Sequence, residues 1–403
     1  MERGLDWRTA RERLLEQVTP VDSQTLPLSR CYGHLLAEPV QAVQAVPPFD
    51  RSPLDGYAFR SADTRPEGTV TLRIIEEIPA GHLPRCTVTG GTAAKILTGA
   101  PIPAGADAVS KFEETEFTPE TVTLKRAYKP GENIIRRGED VQAGDVLGRK
   151  GQRVDAGLAG ALAAQEITEA AVYRVPKVGI LTTGSELRQS GAADNGASIP
   201  NSNRAALEAA LMLLGCEPVF FGAPGDTVEG IAAAIDEALR QCDMVVTTGG
   251  VSVGDYDCTP AAVERCGAEL LVQNLKLKPG GKCCFGRRDG KLIACLSGNP
   301  ASGMTCFYAV VAPAVRALTG AEHPRQRELV ARMAADFPKG SKQPRLLRGT
   351  LDWDEDGLYF APAPAQGNGT LHTMAGANAL AELPGGSDPV RAGEIVRVCY
   401  IGG

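Results

Sequence analysis

Histidine is scarce in this chain of 403 residues, with only His34, His82, His323 and His372, and no two of them stand four apart. A histidine-built metal centre is therefore not expected. The 11 cysteines are odd in number and scattered, and no C-x-x-C pair occurs, which argues against a zinc ribbon or a dithiol redox motif. They read as small buried hydrophobes of a protein kept in a reducing, cytoplasmic compartment. There is no basic excess: the formal net charge is -6, the wrong sign for a protein that coats nucleic acid. The N-terminus has no apolar core of a secretory signal, and no apolar run of membrane-spanning length stands out, so no membrane span is expected. Neither a Walker A sequence nor a G-x-G-x-x-G occurs, so a standard ATPase or dinucleotide site is not supported.

What is present is ordinary globular material, 43% hydrophobic and 22% charged, and long enough for two to four domains. Leu5, Trp7, Ala10, Leu14 and Val18 fall near helical spacing and predict an N-terminal helix. Residues 20–150 change character, with alternating runs such as Thr69–Ile74 and Thr121–Lys125 that read as half-buried strands. Residues 151–172 are alanine-rich with helical spacing. We expect residues 1–25 and 144–173 to form one elongated helical domain that carries residues 26–143 as a β-rich insert.

From Pro176 the rhythm becomes strand, helix, strand, helix. Buried-strand runs lie at Val178–Leu181, Val219–Phe221 and Met244–Val246. Asn201-Ser202-Asn203 is placed to cap a helix that ends at Gly215, and Asp226-Thr227-Val228-Glu229 reads as a capping box. A hairpin is expected from Lys282–Phe285 to Leu292–Leu296 around Asp289-Gly290, followed by a helix over Ala301–Leu318. This predicts a doubly wound α/β domain over residues 174–322. Residues 323–403, short strands separated by Gly-Gly and Asp-Gly, predict a C-terminal β-barrel. The fold class is thus α/β and β multidomain.

Ligands of an open parallel sheet sit at the carboxyl ends of its strands. Three loops rich in glycine and hydroxyls occupy that position: Thr182-Thr183-Gly184-Ser185-Glu186, then Thr247 to Gly254, then Ser297-Gly298-Asn299-Pro300. Their backbone N–H groups can cradle an anion, although each alone could be a tight turn. The candidates there are Thr248, Gly249, Gly250, Ser252, Gly254, Ser297, Gly298, Asn299 and Pro300. Glu186, Asp226, Asp255 and Asp257 lie beside these loops, and carboxylates facing phosphates call for a divalent cation such as Mg²⁺ between them. Asp226 reads equally well as a plain N-cap. Lys276, Lys278 and Lys282 bring positive charge to turn glycines, where oxyanions bind; a solvated strand edge is the bland alternative. In the insert, Arg136-Arg137 near Glu139 and Asp140 reads as a surface ion pair when taken alone.

Taken in order, PPFDRSPLDGYA, ILTGAPIPAGADAV, GENIIRRGEDV, TTGSEL, TTGGVSVGDYD, KPGG and LSGNPASG resemble the molybdopterin molybdenumtransferase family, which includes MoeA and the C-terminal part of gephyrin. The resemblance covers nearly the whole chain. It implies a homodimer of four-domain subunits, an α/β domain of the molybdopterin-binding type, and Mg²⁺-dependent insertion of molybdate into adenylylated molybdopterin with release of AMP. It also implies an active site between the α/β domain of one subunit and the insert of the other. Asp55, Thr98 and Asp140 match functional positions of the insert. Glu186, Asp226 and Asp257 match the metal-holding acids, Lys278 a functional lysine, and Arg348 an arginine of the last domain, with Asn368 nearby at a substrate position. Asp55, Asp140, Glu186 and Lys278 carry the expected catalytic roles. The chain departs from the family at Asn274 (a lysine elsewhere), at Gly281, at Cys283 in place of a proline, at Asn368 in place of a serine, and at Arg51 in place of asparagine. These departures leave room for a tungstate-handling paralogue. A scaffold of the gephyrin type is the non-enzymatic alternative.

Overall fold

The computed structural model describes residues 1–188, 196, 198–252 and 257–402. The chain divides into two compact units. One holds Met1–Glu38, Lys150–Val154 and Ala171–Gly403; the other holds Pro39–Arg149 and Asp155–Ala170.

The first unit is built on a seven-stranded sheet in the order Glu2–Asp6, Glu269–Lys276, Cys284–Arg288, Lys291–Leu296, Met244–Thr248, Lys177–Thr182, Glu217–Phe220. The last four strands run parallel. Every residue of Met244–Thr248 is buried, as an interior parallel strand requires. One face is covered by Trp7–Leu15, Ser202–Leu213 and the helix beginning at Pro300. The other is covered by Val228–Gln241 and Thr259–Arg265. Val228–Gln241 shows how pattern becomes packing: Ile231, Ile235, Ala238 and Leu239 share one helical stripe, and all four are buried. Helices on both faces make this the doubly wound layer expected.

Three features of this unit differ from expectation. Leu5 is not helical; Glu2–Asp6 is an edge strand parallel to Glu269–Lys276, with Leu5 opposite Leu275, and the helix starts only at Trp7, where the Asp6 side chain accepts the Arg8 N–H. Residues 1–25 and 144–173 do not form a compact unit of their own. Trp7–Leu15 packs into the α/β core, and the alanine-rich helix Ala156–Ala164 belongs to the second unit. Finally, Pro300–Leu318 is long and apolar enough to cross a membrane by length and composition, but 83% of it is buried within the protein, the mark of a core helix.

The hairpin forms as Cys284–Arg288 and Lys291–Leu296, and Asp289 and Gly290 both take positive φ (51° and 80°), as a two-residue I′ turn requires. The C-terminal segment closes as a five-stranded barrel in the order Glu328–Met333, Gly357–Pro362, Arg345–Asp354, Ala379–Leu383, Ile395–Tyr400.

The second unit centres on a six-stranded sheet: Ala108–Lys111, Gly56–Phe59, Thr92–Ile96, Val70–Ile78, Thr121–Leu124, Thr115–Phe117. The two strands anticipated from alternation pair antiparallel, Val70 opposite Leu124. Tyr57, Phe59, Leu72 and Val122 fill its core.

Candidate functional site

The carboxyl ends of Lys177–Thr182, Met244–Thr248 and Lys291–Leu296 lie side by side because those strands pair in register, Thr182 beside Thr248 and Thr248 beside Leu296. The three loops that leave them wall a cleft of about 770 Å³. Gly249, Gly250, Ser252, Ser297, Gly298, Asn299 and Pro300 all line it, as expected from the sequence. Gly254, Asp255 and the rest of that loop up to Tyr256 lie outside the described residues.

Two glycines are dictated by close approach. Gly249 has φ 101° and Gly250 φ 63°, and a Cβ on them would fall 2.5 Å from the Thr183 carbonyl oxygen and 2.5 Å from Thr259 Oγ1 respectively. Two backbone bonds and one from a side-chain hydroxyl then knit the loops together. Thr183 N–H donates to Thr248 O at 2.8 Å, Gly249 N–H to Leu296 O at 3.0 Å, and Thr259 Oγ1 to Gly249 O at 3.0 Å.

Two helices begin at the cleft, Ser202–Leu213 and the helix starting at Pro300, so their N-terminal N–H groups and positive dipole ends gather on one side of it. Lys278 and Lys282 line the same space. Glu186, Asp226 and Asp257 also line it. Cationic and anionic groups in one cleft suit a phosphorylated ligand with a hard cation bridging it to the carboxylates.

Of the two readings of Asp226, the geometry removes the plain N-cap. Thr227 is the N-cap of Val228–Gln241, its Oγ1 accepting the Gly230 N–H at 3.2 Å. Asp226 instead accepts the Ser185 N–H at 3.0 Å, joining its loop to Thr182–Glu186.

Two expected ligand contacts are corrected. Thr248 does not line the cleft: it is 3% exposed, and its hydroxyl takes the Asn203 amide at 3.4 Å. Arg348 is fully buried. Its guanidinium donates to Ala365 O, Gly367 O, Thr370 Oγ1 and Thr373 Oγ1, and burial pushes its pKa down. It therefore shapes the loop that places Asn368, which does line the cleft. The Asn368 carbonyl in turn accepts the Ser302 N–H at 3.2 Å.

The lysine loop explains two departures from the family pattern. A Cβ on Gly281 would lie 2.6 Å from both Leu275 O and Leu277 O, so only glycine fits the path. Asn274 stands at φ 59°, a left-handed conformation that asparagine tolerates better than lysine does, and its N–H donates to Cys283 O at 2.9 Å.

The second unit brings together Asp55 and Thr98. Asp55 precedes Gly56–Phe59 and Thr98 follows Thr92–Ile96, and those strands pair with Gly56 opposite Ile96. Asp55 Oδ1 accepts Thr98 N–H at 2.7 Å and Thr98 Oγ1–H at 2.8 Å, and these bonds, the backbone one foremost, lower its pKa. Asp140 anchors its loop through its N–H to Val46 O at 3.1 Å. Arg136 does form a surface ion pair, at 2.6 Å, but its partner is Asp50, outside the run that suggested one.

Thr183, Asn203, Asn274 and Ser302 also line the cleft and are not among the candidate site residues of the sequence, although Asn274 is a departure from the family and Thr183 lies in a candidate loop. Asn203 was legible only as part of a capping run. The available signal was its place in the first turn of a helix that follows a parallel strand, where the cleft forms.

Comparison with known proteins gives the family. Residues 5–165 match the model of the MoeA N-terminal region (domain I and II). Residues 179–317 match a probable molybdopterin binding domain, and residues 330–400 match the MoeA C-terminal region (domain IV). The molybdopterin molybdenumtransferase of Staphylococcus epidermidis is 34% identical over 394 residues, 97% of this chain and 94% of that protein. The molybdopterin molybdenumtransferase of Staphylococcus aureus is 33% identical over the same shares. The crystal structure of the molybdopterin biosynthesis MoeA protein from Pyrococcus horikoshii OT3 superposes with a TM-score of 0.84 at 30% identity, covering 98% of this chain and 100% of that one. The chain belongs to the molybdopterin molybdenumtransferase (MoeA) family.

Proposed function

We propose that this chain inserts molybdate into adenylylated molybdopterin, releasing AMP, in a cytoplasmic homodimer. The observation that carries the reading is the meeting, in one cleft, of two helix N-termini and Lys278 with Glu186, Asp226 and Asp257. The phosphoanhydride supplies negative charge for the first group, and the carboxylates suit a divalent cation bound to it.

Hydrolysis of the anhydride adds water to phosphorus and releases AMP, leaving molybdopterin with its own phosphate. Molybdate, the cargo, then exchanges oxygen ligands, which leave as water, for the two dithiolene sulfurs. Mg²⁺ fits the donor set: it binds through one or two carboxylates together with phosphate and water, and needs no all-protein cage. Among the described residues no three such side chains stand together as a closed metal cluster, so one or two of Glu186, Asp226 and Asp257 would hold it together with the phosphates, and when bound it would supply charge neutralisation at the anhydride. Lys278 sets a fixed positive charge where oxyanions dock, and backbone N–H groups in the first turns of the helices that start at Ser202 and at Pro300, beyond the proline itself, orient phosphate. Ser185 N–H holds Asp226 in place. Asp55 and Asp140 act in the same reaction from the second unit, with the Thr98 N–H and hydroxyl fixing the orientation of the Asp55 carboxylate.

The test is to incubate the full-length protein with adenylylated molybdopterin, Mg²⁺ and either molybdate or tungstate, and to follow AMP release and cofactor formation. Mg²⁺-dependent AMP release with metal insertion is the expected result. Folded protein that binds the substrate yet releases no AMP would overturn the reading, and a preference for tungstate would revise its cargo. Sedimentation at micromolar concentration should report twice the mass of the 42.3 kDa chain; a monomer would remove the homodimer.

A further inference from the structure

We propose that Asn203 is a ligand-binding residue of the cleft whose side-chain oxygen accepts a hydrogen bond from an amino group on a heteroaromatic ring of the substrate. This rests on the transferase reading, which supplies two such rings, pterin and adenine.

Asn203 is 8% exposed and lines the cleft. Its Nδ2 donates to Gly298 O at 2.9 Å and to Thr248 Oγ1 at 3.4 Å, tying together the loops that leave two neighbouring strands. These bonds also fix which end of the amide faces outward. A flipped amide would set Oδ1 against the Gly298 carbonyl, acceptor against acceptor, and lose the shorter bond. Oδ1 therefore points away from both loops. Among the described residues no group donates a hydrogen bond to it, and it is not sealed from solvent, so its open side is the cleft that Asn203 lines.

The surroundings select its partner. Asn203 lies in the first turn of Ser202–Leu213, among N–H groups that attract phosphate. An uncharged oxygen there repels the lone pairs of an oxyanion such as molybdate or phosphate and attracts a neutral N–H. Asn203 thus separates the ring-reading part of the cleft from its anion-reading part. Discrimination of this kind is large where a site hydrogen-bonds a group and the competitor lacks it.

The experiment crosses the protein with its ligand. Dissociation constants of pterin and of lumazine, which carries an oxo group in place of the 2-amino group, are measured on the wild-type full chain, on Asn203→Leu and on Asn203→Ser. The same is done with AMP and with purine riboside 5′-monophosphate, which lacks the 6-amino group. In one of the two pairs, both variants should weaken the amino ligand about tenfold and leave its partner unchanged. That pair names the ring. Serine, shorter and suited to a first helical turn, keeps the test valid if the leucine variant folds poorly.

Equal weakening of both members of each pair would overturn the proposal and leave Asn203 only its loop-tying bonds. Unchanged affinity throughout would overturn it as well. Failure of the underlying reading looks different: folded wild-type protein would bind none of the four ligands and no adenylylated molybdopterin.

Discussion

Asp226 and Thr227 are chain neighbours with separable jobs. Thr227→Ala removes a helix cap and should cost about 1 kcal/mol in stability while leaving AMP release intact. Asp226→Ala should do the reverse, with near-normal melting and turnover reduced at least a hundredfold at fixed Mg²⁺. Thermal melts and turnover measured side by side check this, and equal stability losses with equal activity would contradict it. At Asp55, both bonds from Thr98 favour the carboxylate, so its folded pKa lies below the ordinary value. That interaction is complete above the ordinary carboxylate pKa and is lost as pH falls through the depressed one. Thr98→Val deletes the hydroxyl bond and keeps the backbone bond, so the Asp55 titration followed by carbon NMR should move up part of the way. An unmoved titration would show that the hydroxyl does not act on Asp55. Asp55→Ala itself should abolish turnover without unfolding the protein.

Among the elements, the parallel strands were legible because their runs are short, apolar and bounded by turn residues. The edge strand Glu2–Asp6 was not. Leu5 happens to fit the helical spacing of Trp7, Ala10 and Leu14, and only the tertiary partner Glu269–Lys276 makes it extended. The alanine-rich helix was legible as a helix but not as to the unit it joins, since alanine spacing says little about what it packs on. At the amino end of the sheet, away from the cleft, Arg174 grips Asp243 with two bonds of 2.7 and 2.6 Å, and the Lys177 N–H adds a third at 2.9 Å. Burial alone would raise the Asp243 pKa, but these donors outweigh it and the folded value falls below the ordinary one. Stability from this contact is therefore present above the unfolded carboxylate pKa and is lost as pH falls through the folded one. Asp243→Asn should cost roughly 1–3 kcal/mol near neutral pH, and the gap from wild type should close in acid. Denaturant unfolding at pH 7 and pH 3 checks the sign; a gap that widens in acid would contradict it.

At the scale of the molecule, the sequence motifs predicted which loops meet at the cleft and most of the residues that line it, but not every one. Thr248 and Arg348 sit at motif positions and yet are buried behind the wall, because a motif marks a loop whole while burial sorts its residues one by one. Arg348 shows the consequence. With its guanidinium holding Ala365, Gly367, Thr370 and Thr373, Arg348→Ala should lower the melting temperature and weaken substrate binding together, since the loop that places Asn368 loses its support. A variant of wild-type stability with impaired binding would return Arg348 to direct ligand contact. The central claim is that the cleft below Thr182, Thr248 and Leu296 cleaves the adenylyl group with help from a divalent cation. Its most direct test is single-turnover AMP release from adenylylated molybdopterin, with and without Mg²⁺, by the wild-type chain and by Glu186→Gln. The account predicts release by the wild type with Mg²⁺, a loss of at least a hundredfold without it, and a comparable loss in Glu186→Gln. Equal release in all of these conditions would contradict it.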